Sequence, residues 1–362
     1  MDNQLTVSIG KLKPIIRSAS IDMDEPVLGL AAPGIGKSDV GLQAAAEWAK
    51  DENMGFWSMG DDPAESKDKI GFWETIWSQH TPEDIKFPAL VNGKFVPQYS
   101  TELPLEGNED RFPEFGLWVH DEITNVEPYM GKALMQLILE KRLGTRRVLP
   151  GWKMVAFGNR VKDRSYAQVL APPLANRFVI VNVEPNLDDW VGWALQNKVH
   201  PLGIAFMRFR PALLHKFDHK LYAGGEMAFP SPRQWTRAFR FIGMKDGDTR
   251  VALTAGCVGS AAALEFEGFA RVWETLPSFE RIMNGKGKGE KVPKDQATLL
   301  ATVTGLVTKT EDDNAGNVFS YIKRLPGEYQ MLYSKDLIRK DPIFAVHDAY
   351  NDWCGTAGAN LQ

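Results

Sequence analysis

Leu28-Gly29-Leu30-Ala31-Ala32-Pro33-Gly34-Ile35-Gly36-Lys37-Ser38 is the stretch whose reading decides the fold. It reads as a short buried strand, Pro26 to Leu30, then a glycine-rich turn, then a helix from Asp39 to about Lys50. Such a turn aims successive backbone N–H groups at one spot and sets a helix N-terminus behind them, which suits a triphosphate. The pattern G-x-x-x-x-G-K-[ST] is met except at its first glycine, which is Ala31 here. Pro33, Gly34, Ile35, Gly36, Lys37, Ser38 and Asp39 form the expected nucleotide-binding set. Lys37 is placed for the β- and γ-phosphates, and the Ser38 hydroxyl for Mg²⁺.

Outward from that turn the chain keeps an α/β rhythm. A helix-like segment, Ile9 to Ser18, precedes it, and a second strand, Gly55 to Met59, follows. From Gly60 to about Phe115 the pattern is irregular, except where Phe87–Val91 and Lys94–Tyr99 flank Asn92-Gly93, a strong hairpin signal. Gly116 to His120 is a third strand, Met130 to Lys141 a helix, and Met154–Gly158 and Phe178–Val183 two more strands. Short apolar strands alternating with helices predict a parallel sheet covered on both faces. After Glu184-Pro185 strands stop, and helices are expected over Leu187–Gln196, Ile204–Lys216, Pro232–Ile242, Val251–Glu274, Asp295–Thr308 and Gly316–Lys323. The run Asn284 to Lys291 reads as a solvated, glycine-rich loop that holds no structure alone.

The chain has 362 residues, 44% hydrophobic and 24% charged, an ordinary globular composition. A formal net charge of −4 argues against a general nucleic-acid coat. Two cysteines, Cys257 and Cys354, suit a reducing compartment. Neither a signal-peptide pattern nor a membrane-length apolar run is present, so the expected location is cytoplasmic, with no membrane partner.

Leu117 to Glu122 is an apolar strand delivering two carboxylates at its C-terminal end, where ligands of open α/β sheets bind. Asp121 is placed to hold Mg²⁺ through water and Glu122 to polarise an attacking water. Asn159, at the end of the next strand, can orient that water. Pro173 to Phe178 sets Arg177 just before the following strand. Ser231 is a good N-cap with Pro232 at the first helical position, so Arg233 falls in a first helical turn. A cation is poorly placed there unless an anion is near. His215 and His219 have the spacing of a zinc pair, but Lys216 stands between them and no third ligand follows.

Taken together, these pieces resemble the AAA+ ATPases, and within them the MoxR-type group. The matching segments are Ala32 to Ser38, Val119 to Ile123, Gly158-Asn159, Leu174 to Phe178, and Phe229-Pro230-Ser231-Pro232-Arg233-Gln234-Trp235. Tyr321 to Glu328 looks like a segment of bacterial and phage members. The resemblance implies a P-loop AAA+ domain over 1–184 with the hairpin insert near 87–99, a helical lid over 185–250 and a helical extension over 251–362. It also implies a homo-oligomeric ring, usually hexameric, with ATP and Mg²⁺ at each subunit boundary. Arg177 would be the arginine finger, with Arg160 as a rival, and Arg233 the lid arginine. Phe87, Phe95 and Tyr99 either grip a substrate at the pore or pack on their own subunit. The expected activity is ATP hydrolysis coupled to remodelling a client protein, with a von Willebrand factor A domain protein as a candidate partner. A nucleic-acid motor and a nucleotide-gated scaffold are the alternatives. One departure stands out: Thr124-Asn125 replaces the Asn-Arg that often follows Asp-Glu-Ile, and no role transfers to it.

Overall fold

The structure is a computed structural model that describes residues 5–163, 167–218, 222 and 224–356. It divides into two compact units, Met1–Glu184 and Pro185–Gln362.

The first unit is built on a seven-stranded parallel sheet. In chain order the strands of the unit are β1 Thr6–Ser8, β2 Val27–Ala31, β3 Gly55–Ser58, β4 Lys69–Ile76, β5 Lys86–Val91, β6 Lys94–Tyr99, β7 Phe115–Asp121, β8 Arg142–Leu143, β9 Arg146–Arg147, β10 Gly151–Gly158 and β11 Val179–Glu184. The large sheet runs β1-β11-β2-β10-β7-β4-β3, while β5-β6 and β8-β9 are separate two-stranded ribbons. The central strands β2, β7 and β10 are covered on both faces and are mostly apolar rather than alternating with polar residues. Leu117, Val119, Val155 and Phe157 join one buried cluster with Val40, Ala44 and Trp48 of the helix Lys37–Asp51. Trp118, Met154 and Ala156 face the other way, into a cluster with Met130, Leu134 and Leu137 of the helix Pro128–Glu140. The expected architecture, a parallel sheet flanked by helices and followed by a helical part, is the one observed.

Strand β4 lies inside the stretch expected to be irregular. Gly71 and Gly116, neighbours on β4 and β7, leave room for the Trp152 ring, since a Cβ at either would meet ring carbons at 2.9 and 2.7 Å. The Asn92-Gly93 hairpin forms as expected, with φ of 50° and 73° at its two turn residues, the left-handed pair that a tight two-residue hairpin requires.

The second unit is helical among the described residues and packs around one apolar core containing Phe206, Trp235, Phe239 and Phe266. Three expected helices are shorter than read. Pro211 ends the helix Pro201–Phe209, which continues only as a 3₁₀ turn. The stretch Val251–Glu274 is broken by Gly259 at φ 85° into helices Gly247–Val258 and Ser260–Ala270. The helix starting at Pro232 ends at Ala238 and passes into another 3₁₀ turn. The helices Gly327–Lys340 and Asp348–Thr356 were not read from the sequence. The 284–291 run is not a free loop. Arg324 donates to the carbonyls of Gly287 (2.6 Å) and Glu290 (2.9 Å), Tyr321 to Lys291 (2.8 Å), and Asn317 to Met283 (2.7 Å). Side chains on and just beyond the helix Ala315–Ile322 thus supply the order that the glycines lack. No helix among the described residues is long and apolar enough to cross a membrane.

Candidate functional site

Four adjacent strands, β2, β10, β7 and β4, deliver polar side chains at one edge of the sheet. All run parallel, so their C-terminal ends share that edge, the usual ligand-binding edge of such sheets. β2 leads into the glycine-rich turn, where Gly34 and Gly36 have φ of 79° and 94°. Those left-handed conformations turn the chain sharply into the helix that starts at Lys37, with Gly36 as its N-cap. Ile35 is buried in the core, so only its backbone can face a ligand, while Asp39 is exposed in the first helical turn.

Lys37 Nζ donates to Asn159 Oδ1 at 2.8 Å and to the carbonyls of Ala31 and Ala32 at 3.3 Å. Ser38 Oγ donates to Asp121 Oδ2 at 2.6 Å. The structure therefore brings together Lys37, Ser38, Asp121 and Asn159 across 122 residues of sequence. Glu122 follows Asp121 in the left-handed region, φ 55° and ψ 29°, which a non-glycine residue occupies only when its surroundings hold it there. Two contacts do so here: its N–H donates to Asp121 Oδ1 at 2.7 Å, and Ser78 just beyond β4 donates its hydroxyl to Glu122 Oε2. A carboxylate already accepting a hydrogen bond is restrained before any water reaches it.

Three further residues complete the surroundings. Thr124, left without a role above, is buried and accepts the Asn159 N–H on its Oγ1 at 2.9 Å. It thereby fixes the backbone that carries the Asn159 amide. His120 is fully buried, stacks on Trp77, and accepts the Trp77 indole N–H at 3.0 Å; burial pushes its pKa down to about 3. It is a neutral anchor beneath Asp121. Glu74 on β4 is raised above the usual carboxylate range by burial and then by the charge of Asp121, with Ser38 acting against them. Neither Glu74 nor Ser78 was legible, because the strand carrying them to the edge was not.

Arg177 is exposed just before β11 and makes no ion pair among the described residues. Arg160 is already committed, to Asp163 at 2.8 Å and Glu184 at 3.3 Å. In the second unit Ser231 Oγ caps its helix through Gln234 N–H at 3.3 Å, and Arg233 is exposed in the first turn. On the hairpin, Phe95 is 78% exposed and Phe87 44%, whereas Tyr99 is tied to its own unit through Thr145 N–H at 2.9 Å. His219 of the spaced histidine pair lies outside the described residues. Among the described residues no three or more His, Cys, Asp or Glu side chains converge to hold a metal ion by themselves. A Mg²⁺ site built from one hydroxyl, one carboxylate, phosphates and water needs no such cage.

No protein-family model and no curated protein matches the chain. Among solved structures it is similar to the Thermotoga maritima RuvB Holliday junction branch migration motor, at 13% identity and TM-score 0.35 over 77% of this chain and 75% of that one. NtrX from Brucella abortus in complex with ADP is 13% identical, at TM-score 0.37, over 95% of this chain and 70% of that one. Hsp104 in its closed state with ATPγS and FITC casein is 12% identical, at TM-score 0.33 over 48% of this chain. The chain spans about a third of that Hsp104 chain, 32% of its length.

Proposed function

We propose that this protein is a Mg²⁺-dependent ATPase of the AAA+ superfamily, of MoxR type, which works as a homo-oligomeric ring on a client protein. One observation carries the nucleotide part: the Lys37 ammonium, the Ser38 hydroxyl, the Asp121 carboxylate and the Asn159 amide converge beside a helix N-terminus and a glycine turn. The donor set suits a triphosphate, and the hydroxyl–carboxylate pair suits a hard cation that retains water. Bound there, Mg²⁺ supplies neutralisation of phosphate charge.

The residues then act as follows. With nucleotide bound, Lys37 would exchange Asn159 and two carbonyls for phosphate oxygens, and Ser38 and Asp121 would hold the cation. Asn159, released from Lys37, is free to orient a water. Glu122 accepts a proton from that water as its oxygen attacks the γ-phosphorus and the bond to the β-phosphate oxygen breaks. Arg177, exposed and without an ion pair among the described residues, is available to a neighbouring subunit's γ-phosphate, where such a cation contributes roughly 10³–10⁵ in rate. Arg233 is the lid arginine. The MoxR-type assignment, the hexameric ring, the cytoplasmic location and a von Willebrand factor A domain partner rest on the motif resemblance.

Calorimetry with ATP and Mg²⁺ tests the binding site. Wild type should bind and Lys37→Ala should lose at least two orders of magnitude in affinity, since the β- and γ-phosphates lose their lysine. Equal affinities would remove the assignment.

A further inference from the structure

Glu74 is a partly buried acid whose Oε1 is buried without a hydrogen-bond partner among the described residues. It is paired in register with Val119 on the neighbouring strand, two residues before the Ile76–Asp121 pair. Strand alternation therefore puts Glu74 on the same face as the residue opposite Asp121. Ser38 and Asp121 are its hydrogen-bonding neighbours, and the Asp39 charge also acts on it. Oε1 is buried and no donor reaches it, and among the described residues Glu74 has no ion-pair partner. A buried carboxylate oxygen without a donor is costly, and a second carboxylate beside it adds repulsion. Packing alone does not account for the orphaned Oε1.

A cation at Ser38 and Asp121 changes the balance. Mg²⁺ sheds its waters reluctantly and usually keeps several, and each coordinated water presents protons that need acceptors. We propose that Glu74 is the second carboxylate of the Mg²⁺ site, accepting a hydrogen bond from a metal-bound water rather than ligating the ion. Outer-sphere action agrees with the absence of a three-ligand cage among the described residues. This inference rests on the nucleotide-site reading above and extends it to a residue outside every motif.

The test uses ADP, which is not turned over, and the intact protein. ADP affinity is measured in EDTA, and Mn²⁺ binding is then titrated at saturating ADP by electron paramagnetic resonance. For Glu74→Gln, metal-free ADP affinity should stay within about twofold of wild type, while the Mn²⁺ dissociation constant rises about tenfold. The melting temperature in EDTA should not fall, since an uncompensated charge has been removed. Glu74→Asp, with charge kept but reach shortened, should shift Mn²⁺ affinity in the same direction by less. Unchanged Mn²⁺ affinity in both variants overturns the proposal, as does a parallel loss of metal-free ADP affinity, which marks a structural residue. A wild-type protein that binds ADP but no Mn²⁺ overturns the metal site and this proposal, and leaves the nucleotide reading standing. One that binds no nucleotide overturns the underlying reading and the proposal together.

Discussion

At the scale of single residues, function here depends on side chains that hold other side chains. Thr124 never touches a phosphate in this account, yet its Oγ1 is the acceptor for the Asn159 N–H. Thr124→Val keeps the shape and removes the acceptor, leaving a backbone N–H unpaired, at a cost of about 1–3 kcal/mol. We expect ADP affinity to stay within twofold and turnover to fall about tenfold, because Asn159 drifts while Lys37 and Ser38 do not. Chemical denaturation with steady-state kinetics checks both parts, and unaltered turnover would return Thr124 to a packing role. The motif residues Lys37, Ser38, Asp121, Glu122 and Asn159 were legible because phosphate and metal chemistry fix their types and order. Thr124, Ser78 and Glu74 were not, since each reaches the site through pairings that only the folded sheet creates. The αL backbone of Glu122 is equally invisible in sequence, as nothing about a glutamate announces a positive φ.

At the scale of elements, the strand Lys69–Ile76 shows where sequence reading fails. Gly71 in its middle and Glu74 near its end weaken the strand signal, but both are there for a tertiary reason: space for Trp152 and access to the site edge. Hydrophobic periodicity located β2, β3, β7, β10 and β11, and missed the three-residue β1 and β4 with its polar errand. The same lesson holds for residues 284–291, where composition suggested a loose loop and Arg324 clamps two carbonyls. Limited trypsin digestion offers a direct check. Wild type should resist cleavage after Lys286 and Lys288, while Arg324→Ala should be cut there several-fold faster, with a stability loss of about 1–2 kcal/mol. Equal cleavage rates would mean that Tyr321 and Asn317 hold the segment without it.

At the scale of the whole molecule, the ring proposal makes Arg177 a residue whose work is done on a neighbour. Its exposure and its lack of an ion pair among the described residues agree with that, while Arg160, tied to Asp163 and Glu184, is already occupied. Activity per subunit should therefore rise steeply with protein concentration. Arg177→Ala and Glu122→Gln, each inactive alone, should regain turnover when mixed, provided that subunit exchange is shown independently. Boundaries pairing an intact Glu122 with an intact Arg177 exist only in such mixtures. Concentration-independent activity from a protein that light scattering finds monomeric would end the finger assignment and the ring with it.

Lys37, Ser38, Asp121 and Glu122 are proposed to bind ATP and hydrolyse it, and Glu122→Gln separates those two acts in one protein. An amide fills the same space but cannot take a proton from water. ATP and Mg²⁺ binding by calorimetry should match wild type within about threefold, and phosphate release from the same sample should fall at least a hundredfold. Phosphate release from Glu122→Gln at the wild-type rate would contradict the account.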